Sequence, residues 1–156
     1  MTAALITAIV LGIGGLTYST VLGFVAETSD DVVHHVSIAI FSTLITLLAH
    51  SMTMFYLIGK GKAIRETVAE SGLSTDLYAR VARARRPVFS MGALAMGFTI
   101  IAAALGGGVD AGTVASGFHA VLAILGLVTN FLTLRLELLA FVVAADVVVR
   151  VDQSVT

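Results

Sequence analysis

The chain has 156 residues, of which 58% are hydrophobic and 12% charged, with a mean hydropathy of +1.02. Soluble domains carry about 25% charged residues, so this composition points to a bilayer. The net charge is −1 and there is no Cys; a basic nucleic-acid surface, disulfides, thiolate metal sites, iron–sulfur clusters, Cys nucleophiles and Cys-attached haem are all excluded.

The first predicted helix covers about 2–27 and is apolar from its start. It lacks the basic n-region of a secretory signal, so it reads as a retained transmembrane helix. Ala8, Gly12, Gly15, Ser19 and Gly23 lie along one face, a spacing that lets two helix backbones approach closely. Thr28, Ser29, Asp30 and Asp31 break the pattern and supply caps for the next helix.

The second helix spans about 31–60, with an extension to about 71. At roughly 100° per residue, His35, Ser42, Thr46 and Thr53 fall within about 20° of one line, and His50 lies about 60° away on the same broad face. Polar groups in hydrocarbon need partners, so this face is expected to look at other helices. About 40 helical residues would measure about 60 Å, twice the hydrocarbon thickness. The second half should therefore project into water.

Residues from about 75 to 86 hold Arg80, Arg83, Arg85 and Arg86. They read as a basic amphipathic segment lying on the membrane surface. Pro87 suits the first turn of a third helix, about 87–105, which Gly106–Gly108 would end. Asp110 would cap a fourth helix, about 111–135, with an extension to about 150. The expected fold is all-α: an integral membrane four-helix bundle, one domain, with extended cytoplasmic ends on helices two and four.

Seven of the nine bases lie between Lys60 and Arg86, whereas Glu27, Asp30, Asp31 and Asp110 occupy the opposite loops. The positive-inside rule then puts both termini and the central loop in the cytoplasm, and the setting reads as a bacterial inner membrane. The expected partners are lipid and either further copies of the chain or other membrane subunits.

All four histidines lie on helices two and four. On helix four, His119, Gly126, Asn130, Thr133 and Glu137 share one face. His35 and His119 lie about 6 Å and about 13 Å from the same end of their helices. Two imidazoles facing each other across a bundle suit axial ligation of a b-type haem or another metal. His34 points about 100° from His35 and reads as interfacial. His50 with Met54 forms a second candidate pair, for haem or for copper, because thioethers suit Cu(I). Glu137 is expected to be a wetted interfacial acid if helix four leaves the bilayer near Arg135, although pairing with His50 is the alternative. No phosphate-loop, nucleophile-elbow or zinc-protease motif is present. The functional expectation is a redox or electron-transfer subunit. Its alternatives are a structural subunit of a larger membrane complex and a proton- or ion-conducting bundle.

Overall fold

A computed structural model of the chain describes residues 1–155. It is all-helical: α1 Thr2–Val25, α2 Ser29–Glu70, α3 Asp76–Asp110 and α4 Ser116–Val155. Three of these, α1, α2 and α3, are long and apolar enough to cross a membrane. The α1–α2 and α3–α4 turns lie at one end of the bundle, here the turn end. The α2–α3 connection lies at the other. α2 and α4 touch across the bundle, whereas α1 and α3 do not meet.

Each joint has a local cause. Thr28 and Asp31 form a capping box: Asp31 N–H donates to Thr28 Oγ1 (3.2 Å), and Thr28 N–H donates to Asp31 Oδ2 (3.0 Å). Two of the first free N–H groups of α2 are so satisfied. The small-residue face of α1 is the face that meets α2. Gly12 abuts Thr46, Gly15 abuts Ser42 and Gly23 abuts His35. A Cβ at Gly12 would sit 3.0 Å from the Thr46 Cα, so glycine is what allows this approach.

The third helix differs from the sequence expectation. Residues 76–86 are not a separate surface segment; they continue into α3 through Pro87. The reason is the apolar stripe. Leu77, Val81, Ala84 and Val88 recur at helical spacing on both sides of the proline, and Val81 and Val88 are fully buried. Keeping that stripe in phase outweighs one lost backbone hydrogen bond. Gly106–Gly108 do not end α3 either. The helix runs on to Asp110, and the chain reverses at Gly112, whose φ is +69°. That left-handed conformation favours glycine. Asp110 therefore closes α3 instead of opening α4, which begins at Ser116.

Away from the turn end, α2, α3 and α4 all overrun the bundle and pack together. Ile64 and Val68 from α2, Val81 from α3, and Val147 and Val151 from α4 form one buried cluster. The extended ends of α2 and α4 thus pack together with α3 as a third member. Arg80 of α3 donates to Asp146 of α4 (2.9 Å), and Arg150 joins the same carboxylate (3.0 Å).

Burial runs opposite to that of a soluble domain. Ser42, Thr46, His50, Thr53, Asn130, Thr133 and Glu137 are buried, whereas Phe41, Leu44, Leu48, Phe55 and Phe131 are exposed.

Candidate functional site: two histidines over a shared cavity

The site lies near the turn end and is built the same way from each helical hairpin. In the first, His35 of α2 donates through Nδ1 to the Ser19 carbonyl of α1 (2.8 Å) and lies against Gly23. In the second, His119 of α4 donates through Nδ1 to the Ala102 carbonyl of α3 (3.0 Å) and lies against Gly106. A carbonyl can only accept, so Nδ1 carries a hydrogen in both rings.

The two glycines make room for the rings. A Cβ at Gly23 would be 2.9 Å from His35 Cε1, and one at Gly106 would be 3.1 Å from His119 Cε1. The imidazole centroids are 6.1 Å apart, with their planes at 79°. Both rings line a cavity of 690 Å³ whose wall also includes Ser19, Thr99, Ala123 and Gly126. No family of proteins, curated protein or solved structure matches this chain. Its chemistry has to be read from these residues.

Among the described residues, no three His, Asp or Glu side chains converge as a metal cluster would. The donor set at the cavity is two imidazoles. Such a pair could hold a haem, which would supply redox chemistry there.

His50 and Met54 are not brought together as ligands. Both His50 ring nitrogens are engaged, Nδ1 with Glu137 Oε1 (2.8 Å) and Nε2 with Asn130 Oδ1 (2.9 Å). The Met54 methyl packs against Gly92 instead, as a gap-filling side chain does. A haem or copper site on this pair would have no free imidazole lone pair to use. Glu137 is not a wetted acid, since its side chain is fully buried. It lies on the inward face of α4 with His119 and Asn130, and the His50 hydrogen bond offsets its loss of water. His34 is exposed, its ring edge-on to Tyr18 at 6.1 Å.

Sequence reasoning missed the two anchoring carbonyls, because Ser19 and Ala102 act through their backbones. It also took Gly106 for a helix stop. A signal was nonetheless present. Gly23 precedes His35 by 12 residues and Gly106 precedes His119 by 13, so the glycine–histidine spacings of the two hairpins differ by one residue.

Proposed function

We propose that the chain is an integral membrane four-helix bundle that holds a b-type haem between His35 and His119 and serves as an electron-transfer subunit. One observation carries this reading: two imidazoles from different helices, each held through Nδ1–H by a backbone carbonyl, face one cavity 6.1 Å apart. That bond leaves Nε2 as the ligating atom and orients the ring before any metal arrives. A haem held by His35 and His119 would supply one-electron transfer.

Membrane insertion is supported by the burial pattern. Exposed Phe41, Leu44, Leu48 and Phe55 suit lipid tails, and Ser42, Thr46 and Thr53 of the polar stripe are turned inside. In the proposed topology the turn end faces the periplasm. Both termini, the α2–α3 connection and the three-helix extension lie in the cytoplasm, where Lys60 to Arg86 carry most of the positive charge.

The deciding test is the visible spectrum of protein purified from haem-sufficient cells. The expected result is a Soret band that His35→Ala and His119→Ala each abolish and His34→Ala leaves intact. Colourless protein without metal by elemental analysis would end this reading and leave a packing subunit in its place.

A further inference from the structure

Below the cavity, His50, Glu137, Asn130 and Thr99 form a fully or nearly fully buried hydrogen-bonded chain. Its hydrogens can be counted. The Gly126 carbonyl can only accept, and Thr99 Oγ1 gives its own hydrogen to Ala95 O (2.8 Å). Both therefore accept from Asn130 Nδ2, at 2.7 Å and 2.9 Å. Asn130 Oδ1 then faces His50, so Nε2 must carry a hydrogen. One further proton occupies the contact between His50 Nδ1 and Glu137 Oε1, on nitrogen or on oxygen. The pair is net neutral in both forms.

Removing that proton would press two lone pairs together at 2.8 Å. Adding one needs a free oxygen, and Glu137 Oε2 is one. Among the described residues it is buried without a hydrogen-bond partner, as is Thr53 Oγ1. Thr53 is one helical turn from His50. The other buried threonines, Thr46, Thr99, Thr129 and Thr133, each donate to the carbonyl four residues back. Thr53 does not.

We infer that His50 and Glu137 form a proton-binding site inside the bundle, which takes up one proton from water at Glu137 Oε2. The new bond is Oε2–H. Oε1 stays in place as acceptor of the Nδ1–H, and the pair becomes an imidazolium beside a neutral carboxyl, one positive charge richer. No existing hydrogen bond breaks. Among the described residues, the titratable groups on the surrounding helices are bonded elsewhere or lie away from the pair. α1 presents Ile9 and Ile13, packed against Ala49. On α2 the Tyr56 hydroxyl is bonded to Thr2 (3.1 Å), and Lys60 lies beyond it toward the α2–α3 connection. On α3 the nearest cation, Arg85, is held by Leu57 O (3.4 Å) and the Tyr78 hydroxyl (3.2 Å). On α4, Arg135 is exposed. Because Thr99 and Gly126 also line the cavity, the site is hydrogen-bonded to the cavity wall. It stands whether or not a haem occupies the cavity.

The test is an infrared pH titration of the full-length protein in lipid nanodiscs, with protons or deuterons as the only added ligand. The wild-type minus Glu137→Gln difference should hold one protonated-carboxyl stretch that grows as pH falls and shifts in heavy water. A difference band that does not change with pH would overturn the proposal and leave a fixed structural pair. Should the variant fail to fold, wild-type protein with carboxyl-¹³C glutamate reads the same event. Glu27, Glu66 and Glu70 are exposed, so a soluble paramagnetic agent broadens them and spares Glu137. The spared signal should move with pH, and a stationary one refutes uptake.

Discussion

A single carboxylate accounts for much of the interior. Glu137 is fully buried and rests on His50, so truncating either partner leaves the other buried and unpaired. Glu137→Leu should cost about 3–5 kcal/mol of stability, as loss of one member of a buried pair does. The double variant His50→Leu/Glu137→Leu should recover part of that loss, because the unpaired buried partner is gone and only Asn130 Oδ1 is left without its donor. Thermal unfolding of the four proteins of this cycle in one detergent measures the coupling. A double variant as unstable as the sum of the singles would contradict it. The inward phase of Glu137 was legible in the sequence, since 3.6 residues per turn aligns it with His119 and Asn130. Its dryness was not, because how far water follows Arg135 down α4 depends on what packs beside it.

Close helix approach is decided by where glycine sits on each helix. Gly12 and Gly15 meet α2, whereas nothing lies within 4 Å of a Cβ placed on Gly14. Gly12→Ala and Gly15→Ala should each destabilise by about 1–3 kcal/mol through overpacking. Gly14→Ala should be neutral or slightly stabilising, since Ala is the better helix former. Thermal melts of the three variants check this. In the extension, the hydrogen bond from Arg150, with that from Arg80, holds the Asp146 carboxyl below its ordinary value of 3.8. A lowered folded value means that this contribution is complete above pH 3.8 and is lost as pH falls through the folded value. Asp146 is exposed, so the effect is small. Asp146→Asn should leave the acid limb of the stability curve slightly flatter, as a pH series of melts would record. At this scale the sequence misled at Pro87. Local rules read it as a start, and the stripe from Leu77 to Val88 carried the helix through.

For the molecule as a whole, the proposed topology rests on the distribution of charge. The natural absence of Cys makes it directly testable, because any introduced thiol is unique. Cys at Asp30 or Asp110 should react with an impermeant reagent from the periplasmic side. Cys at Glu66 should react only after the membrane is opened. Labelling of Asp30→Cys from the cytoplasmic side alone would reverse the topology and move the histidine cavity to the inner leaflet.

Helix content, the inward polar stripe of α2 and the clustering of histidines on two helices were determined by the sequence itself. These are properties of one helix at a time: about 100° of rotation and 1.5 Å of rise per residue convert residue order into faces and depths. Tertiary structure alone decided which faces met. It brought His35 and His119 within 6.1 Å, joined His50 to Glu137 and left Met54 aside. Such pairings depend on the offset and crossing of separate helices, which are set by glycine contacts and apolar stripes distributed over the whole chain. The backbone carbonyls of Ser19 and Ala102 that hold the two imidazoles are common to every residue type, so no side-chain pattern could announce them.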